Sequence, residues 1–228
     1  MALIEQILFP NTFGMELVYS FVIIFCSLIV YFSTKKMYDI SKHPGIRYFR
    51  ISFLFFALAY FFKSFISFLL VFSGFRGLIE FLSVFPGVTT VFLFMYTSTM
   101  AIFYLLYSIV WKKTAGEKFL IPLVHALVLV ISFGSLLIRS AWVIILLQIL
   151  LFSFIAIYNY ASYRKLSQKK KTGSIHVIYL FLFLFWMLNL SDILIANFSP
   201  FFEFLISLVS IGIFLIILYK VTKNVGLN

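Results

Sequence analysis

The chain has 228 residues, of which 64% are hydrophobic, 21% aromatic and 11% charged, and its mean hydropathy is +1.13. This composition excludes a soluble globular domain and predicts a protein embedded in a lipid bilayer. The net charge of +11 does not indicate a nucleic-acid partner, because the basic residues separate long apolar runs instead of covering a soluble face.

Seven apolar runs approach the length of about 20 residues that a helix needs to cross a hydrocarbon core of roughly 30 Å. The runs are apolar all round, whereas barrel strands alternate apolar and polar residues. We therefore predict an all-α, polytopic membrane protein: one domain, residues 1–228, folded as a seven-transmembrane-helix bundle. The predicted spans are 16–33, 51–73, 88–111, 119–138, 141–161, 175–196 and 200–221.

The predicted loops differ in charge between the two sides of the membrane. Fifteen of the 18 Lys and Arg residues fall on one side, in the loops after spans 1, 3, 5 and 7. The other side carries Arg76 and Arg139 together with Glu5, Glu80 and Glu203. Because basic loops remain in the cytoplasm, we predict a multi-pass protein of the cell membrane with its N-terminus outside and its C-terminus in the cytoplasm.

The loop after span 5 holds the densest basic cluster of the chain. Its simplest interpretation is a determinant of topology, since every predicted inner loop is basic. The alternative is a surface that binds anionic lipid headgroups or an acidic partner. The cluster consists of Arg164, Lys165, Lys169, Lys170 and Lys171.

A faint internal repeat is visible when the chain is aligned with itself at an offset of 129 residues. Spans 1 to 3 and spans 5 to 7 run in the same directions, so the topology permits a 3+1+3 arrangement with span 4 as the connector. Spans 3 and 7 fall out of register. The matching pairs are Tyr31 and Tyr160, Ser33 and Ser162, Lys35 and Arg164, Lys36 and Lys165, Lys42 and Lys171, Ile46 and Ile175, and Lys63 and Asp192.

Two ionisable residues lie deep inside predicted spans, where each charge costs about 2.5 to 3.5 kcal/mol even on the translocon scale. Lys63 is near the middle of span 2 with Tyr60 and Ser67 at helical spacing, and Asp192 follows Asn189 by one turn in span 6. Their similar predicted depth leads us to expect that the two charges are coupled. One interpretation is that the two charges only hold their helices together, and the other is that they line a polar pocket open to the outside.

Further polar stripes lie on spans 3 and 7. Each stripe alone is typical of interhelical packing, and only their convergence would favour a site. On span 3 the stripe is Thr97, Ala101, Tyr104 and Ser108, and on span 7 it is Glu203, Ser207 and Ser210. The candidate pocket residues are therefore Lys63, Asp192, Asn189, Tyr60, Ser67, Glu203 and Thr97.

Catalytic signals are weak throughout the sequence. The three histidines, His43, His125 and His176, have no metal-site spacing, and no nucleophile elbow, phosphate loop or dinucleotide motif occurs. We predict no enzyme activity, no metal and no cofactor, and we expect Gln148 and Asn159 to form hydrogen bonds between helices. The predicted helices lack interior proline, which weakens a transporter interpretation.

The segment MYDISKHPGIRYFRISFLFFALAYFFKSF, residues 37–65, resembles the entry to the second helix of prokaryotic seven-transmembrane sensory modules that precede histidine kinases. It covers about an eighth of the chain and assigns no functional residue. Retinal proteins of similar topology need a lysine inside the seventh helix, whereas Lys220 lies at the edge of span 7.

The resemblance implies a sensory or receptor-like function. With about seven residues after span 7, we expect such a module to signal through a separate membrane or cytoplasmic partner. The alternatives are a small solute or ion transporter or channel that uses Lys63 and Asp192, and a structural subunit of a membrane complex.

Overall fold

The structure is a computed structural model that describes residues 13–73, 80–114, 119–138, 140, 142–164, 175–195 and 200–225. Its regular secondary structure over these residues is entirely helical, which confirms the predicted all-α class. Within these ranges seven helices follow one another: α1 Phe13–Ser41, α2 Pro44–Ser73, α3 Glu80–Thr114, α4 Leu120–Leu137, α5 Trp142–Arg164, α6 Ile175–Ile195 and α7 Pro200–Val225.

Most of these helices have the length and composition of membrane spans. Six qualify within the described part of the chain, and the apolar stretch of α6, His176–Leu190, is shorter. The outward faces of α4, α5 and α7 are covered with exposed Leu, Ile, Val and Phe side chains, which lipid tails solvate and water does not. The chain is therefore a multi-pass helical membrane protein.

The first two helices extend beyond the apolar spans predicted for them. Helix α1 continues through Lys35 and Lys36 and ends at Ser41, where Lys42 adopts a left-handed φ of 50°. Helix α2 then begins at Pro44, whose missing N–H is no loss in a first turn. The predicted basic loop is thus mostly helical, because no helix-breaking residue occurs before this turn.

The third helix corrects an expectation about proline. The predicted spans leave residues 74–87 between spans 2 and 3, and the predicted helices contain no interior proline. Residues 74–79 lie outside the described part of the chain, but α3 begins at Glu80 and continues through Pro86. Proline removes one backbone hydrogen bond from a helix interior, and α3 nevertheless continues to Thr114.

Six helices form a closed ring around an aromatic core. Helices α1, α2, α3, α5, α6 and α7 contact one another in that order and α7 returns to α1, while α4 packs outside the ring on α3 and α5. Phe53, Phe152, Phe185 and Phe214 are completely or almost completely buried inside the ring. Phe214 contacts Phe53 and Phe185 edge to face, with ring centroids 6.1 and 4.8 Å apart.

The beginning of α2 packs closely against the end of α3. A Cβ atom added to Gly45 would lie 2.9 Å from the backbone oxygen of Ser108 and 3.0 Å from the side chain of Trp111. His43 contacts Trp111 at the same place, with ring centroids 4.5 Å apart. Small residues permit such close helix approach in membranes, so Gly45 sets the distance between α2 and α3 at this end.

Candidate functional site

A cavity of about 190 Å³ lies inside the ring, between α2, α3, α5 and α6. Part of its wall is polar, formed by Tyr60, Lys63, Ser98, Gln148 and Asn189. The remaining wall is mainly aromatic and aliphatic: Phe56, Ala59, Phe94, Ile102, Ile145, Phe185, Trp186 and Leu190. A concave, mostly apolar space with a few convergent polar groups is the usual form of a small-molecule site.

Three side chains from three helices form a hydrogen-bonded cluster beside this cavity, which we call the Asn189 cluster. The hydroxyl of Tyr60 donates to Oδ1 of Asn189 at 2.5 Å, and the hydroxyl of Tyr19 donates to the same oxygen at 2.9 Å. The two hydroxyls are 3.1 Å apart. Nδ2 of Asn189 donates to the backbone oxygen of Phe185. The cluster thereby ties α1 and α2 to α6 and fixes the orientation of the amide.

Lys63 lies one turn beyond Tyr60 and forms an ion pair with α1. Its Nζ is 3.8 Å from Oε1 of Glu16 and 5.6 Å from the ring centroid of Tyr19. Both charged side chains are partly accessible, at 25% for Lys63 and 33% for Glu16. Glu16 lies in the first turn of α1, so the pair is near the face of the bundle where α1 begins, which we call the N-terminal face.

The opposite wall of the cavity is organised by Gln148. Its Nε2 donates to the hydroxyls of Ser98 and Thr99, both at 3.1 Å, and its Oε1 accepts from Nε1 of Trp186 at 3.3 Å. Trp186 also contacts Phe152, with ring centroids 4.8 Å apart. These bonds confirm that Gln148 links helices, and they hold the indole against the cavity.

The structure brings three of the seven predicted pocket residues together: Tyr60, Lys63 and Asn189. Thr97 is buried but donates to the backbone oxygen of Leu93 in its own helix. Ser67 likewise faces its own helix, with Oγ 3.4 Å from the backbone oxygen of Lys63. The side chains of Asp192 and Glu203 lie outside the described residues, so the predicted coupling of Lys63 to Asp192 stays a prediction.

The predicted basic cluster is described only at its beginning. Arg164 is exposed at the end of α5, with its guanidinium 5.2 Å from the ring centroid of Tyr160. Lys165, Lys169, Lys170 and Lys171 lie outside the described residues. Binding of lipid headgroups by this cluster stays a prediction.

Two histidines form hydrogen bonds between helices. His125 on α4 lies between two hydroxyls of α3, with Nδ1 2.6 Å from Tyr96 and Nε2 2.7 Å from Tyr104. At the start of α6, the ring of His176 is hydrogen-bonded to Oδ1 of Asn159, whose Nδ2 donates to the backbone oxygen of His176. The prediction that Asn159 links helices is confirmed. No metal-binding group of His, Cys, Asp and Glu is present among the described residues.

At the 129-residue offset, α1 corresponds to α5, α2 to α6 and α3 to α7. Buried positions coincide in the first two of these helix pairs. Tyr60 and Asn189, which are hydrogen-bonded to each other, are separated by this offset. In α3 and α7 the register fails, because buried Ile217 and Val221 correspond to exposed Val88 and half-buried Phe92. The pairs in which both residues are buried are Ile23 and Phe152, Cys26 and Ile155, Val30 and Asn159, Phe49 and Ile178, Phe53 and Leu182, Phe56 and Phe185, and Ala57 and Trp186.

Sequence reasoning missed Glu16 and Tyr19 as parts of the site. Glu16 was taken only as the start of a span, although an acid in the first turn of α1 lies close in depth to Lys63 in an antiparallel neighbour. Tyr19 follows Glu16 at a spacing of three and shares its face. Aromatic wall residues such as Phe94 carry no signal of their own in a chain with 32 phenylalanines.

The chain is similar over its length to a protein of the archaeon Archaeoglobus fulgidus. The two are 32% identical over 222 residues, 92% of each chain is covered, and the relative is described as an uncharacterised protein. No protein-family profile matches the chain, and no solved structure matches it. The chain therefore belongs to the same family as this archaeal protein.

Proposed function

We propose that the chain is a seven-span receptor-like module that binds a small ligand in the cavity beside the Asn189 cluster and signals through a separate partner. The observation that carries the proposal is the cavity itself, which combines a cation, a fixed amide and an aromatic wall. A cluster that only holds helices together would need these hydrogen bonds but no cavity beside them. The resemblance of residues 37–65 to prokaryotic sensory modules supports the same class.

The proposal includes seven membrane crossings with the N-terminus outside. Helix α6 has 21 residues and spans about 31 Å at 1.5 Å per residue, which is enough to cross the hydrocarbon core. The excess of Lys and Arg at the face where α7 ends supports a cytoplasmic C-terminus. The cavity then lies toward the outside, and the basic inner ends of the helices are available to the partner. We propose no enzymatic activity.

Ligand binding in this place has a direct route to the rest of the bundle. The Asn189 cluster joins α1, α2 and α6, and Gln148 joins α5 to α3 and α6. A ligand that binds one packing of these helices better than another shifts the population toward it. The inner ends of the same helices would then present the change to the partner.

A second candidate function, solute transport, is favoured by the repeated register of burial. When two halves of a chain are related by a two-fold rotation, equivalent residues can contact each other only near the axis. Tyr60 and Asn189 are equivalent at the 129-residue offset and hydrogen-bonded, so an axis would pass beside the cavity. Transporters with parallel repeats bind substrate at the interface of the repeats.

Cysteine accessibility separates these two functions. In a Cys26→Ala background, Ser98→Cys places a thiol on the cavity wall. A membrane-impermeant thiosulfonate should modify it from the outside alone if the protein is a receptor, and from either side if the cavity alternates. If the thiol is instead modified from both sides and liposomes show a solute flux that Lys63→Ala abolishes, the two results together would assign transport, and not a receptor function, to the protein.

Three control variants in the same background make this experiment interpretable. Gly14→Cys at the exposed start of α1 should react from the outside, and Lys223→Cys near the end of α7 from the inside. Ser132→Cys, at a completely buried position of α4, should react from neither side. The opposite sidedness of Gly14→Cys and Lys223→Cys would refute the proposed orientation.

A further inference from the structure

The cavity suggests the chemical class of its ligand, an inference that rests on the receptor function proposed above. The polar groups on one side of its wall are already bonded within the protein. The hydroxyl of Tyr60 and both polar atoms of the Asn189 amide have partners in or beside the Asn189 cluster. The ammonium of Lys63 forms an ion pair with Glu16 and lies 5.6 Å from the ring centroid of Tyr19. The positive charge of the wall is therefore compensated by α1.

The polar groups of the opposite wall are bonded in the same way. Nε2 of Gln148 donates to the hydroxyls of Ser98 and Thr99. Its Oε1 accepts from the indole N–H of Trp186, and the hydroxyl of Ser98 donates to the backbone oxygen of Met95 at 3.1 Å. A charged ligand would lose its hydration on entry, and the groups that could replace the lost water are bonded to one another. The wall therefore favours an uncharged ligand.

Three aromatic rings of the wall are each packed against a second ring. The pairs are Phe56 with Phe53, Phe185 with Phe214, and Trp186 with Phe152, at centroid distances of 5.9, 4.8 and 4.8 Å. All six side chains are buried. Close packing of this kind opposes collapse of the wall into the empty space. The cavity is therefore preformed, as small-molecule sites usually are.

The size and the aromatic wall limit the body of the ligand. The volume of about 190 Å³ is somewhat larger than the apolar cavity of about 150 Å³ that binds benzene, so a single ring fits. Lipid tails are as apolar as the wall, and burial of apolar surface alone would not select a ligand over lipid. Aromatic rings have a negative face and a positive edge, so contacts with aromatic walls favour an aromatic ring over a saturated one.

We propose that the cavity binds a small uncharged compound with one aromatic ring, held by contacts with Phe56, Phe185 and Trp186. Such a ligand needs no hydrogen-bond partner, so the bonds of the Asn189 cluster and of Gln148 stay intact when it binds. The ligand is a free aromatic solute and not the acyl chain of a lipid, because the contacts that select it require an aromatic ring.

Fluorobenzene is a suitable probe, with fluorocyclohexane as its saturated counterpart and para-fluorobenzoate and para-fluorobenzylamine as its charged ones. Fluorine NMR titration of the full chain in phosphatidylcholine vesicles measures saturable binding against the free aqueous concentration, with protein-free vesicles as the blank. We expect fluorobenzene to bind about two- to tenfold more tightly than fluorocyclohexane, which is the range for an aromatic contact. Both charged compounds should bind at least about tenfold more weakly than fluorobenzene, because they lose hydration without gaining a partner.

A variant that fills the cavity locates the bound probe. Ala59 is buried and lines the cavity, so the larger side chain of Ala59→Leu would occupy the space of the ring and abolish saturable binding of fluorobenzene. Ala126→Leu is the matched control, because Ala126 is exposed on α4 outside the ring of helices, and this variant should keep the wild-type affinity. Unchanged binding by Ala59→Leu would place the probe elsewhere in the protein and overturn the proposal.

Equal affinities of the wild-type chain for fluorobenzene and fluorocyclohexane would overturn the aromatic class, and tighter binding of either charged compound would overturn the uncharged class. Both results leave the receptor pocket intact. The same holds if none of the four compounds binds while Ser98→Cys reacts from the outside. If none binds and Ser98→Cys is unreactive from both sides, the receptor function fails as well. The wild-type comparison does not depend on any variant, so a misfolded Ala59→Leu protein leaves the test decisive.

Discussion

Helix α2 is packed differently at its two ends. At its beginning Gly45 lies in close contact with the backbone of α3, and the hydroxyl of Ser108 bonds to that of Tyr179 at 2.6 Å. Toward its other end Tyr60 and Lys63 border an open cavity. One helix thus joins a tight end, which fixes the geometry of the bundle, to an open end, where a ligand can be held.

The difference explains why a buried polar group alone does not mark a site. The Ser108 and Tyr179 pair and the Asn189 cluster both link helices by short hydrogen bonds. The second borders a cavity that Lys63 also lines, whereas the first lies beside the close contact of Gly45 with α3. Variants at the tight end should therefore change stability alone, and variants at the open end should change stability and ligand binding.

Gly45→Ala should have the largest effect on stability. The new Cβ would approach the backbone oxygen of Ser108 to 2.9 Å, and backbone cannot move aside as a flexible side chain does. We expect a loss of about 1–3 kcal/mol in the free energy of unfolding, measured by SDS titration of the purified protein. Gly134→Ala on α4, where nothing lies within 4 Å of the added atom, is the control and should be neutral or slightly stabilising. An equal change in the free energy of unfolding for the two variants would show that α2 and α3 are not closely packed at this end.

Asn189→Leu should be the next most damaging change. It removes the common acceptor of two tyrosine hydroxyls, and interhelical hydrogen bonds in membranes contribute about 0.6 kcal/mol on average and up to about 1.7. We expect a loss of about 1–2 kcal/mol in the same titration and, in contrast to Gly45→Ala, a changed rate of thiosulfonate modification of Ser98→Cys in the protein that remains folded. An unchanged rate would exclude the Asn189 cluster from the site.

Tyr179→Phe should have a smaller effect, confined to stability. The variant keeps the ring, which contacts Phe49 with centroids 6.0 Å apart, and removes the hydroxyl that bonds to Ser108. A loss of about 0.6 kcal/mol is expected for one interhelical hydrogen bond. The rate of thiosulfonate modification of Ser98→Cys should be the same with and without this change, and a different rate would mean that packing at the tight end affects the cavity.

The sequence was sufficient for the all-helical membrane class but not for the complete site. Apolar runs predict seven helices because each run must satisfy its backbone internally in lipid. Lys63 was identifiable because a charge in an apolar run is costly, and Asn189 because it lies one turn from Asp192. Tyr19 and Phe94 were not identifiable, because their roles depend on which helix faces are adjacent. The rotation of each helix about its own axis determines these faces, and it is set by packing contacts between helices.

An effect of similarly small size concerns the partner of Lys63, and it compares the described pair with the predicted one. Lys63 and Glu16 are both partly accessible and 3.8 Å apart, so solvent screening limits their coupling to about 0.2–1 kcal/mol. A double-mutant cycle of Glu16→Gln and Lys63→Gln in the SDS titration measures it. The parallel cycle of Asp192→Asn with Lys63→Gln tests whether the carboxylate of α6 shares the ammonium. Coupling to Glu16 alone would show that the partner of the ammonium lies on α1. Strong coupling to Asp192 would show that the pair predicted from the sequence exists.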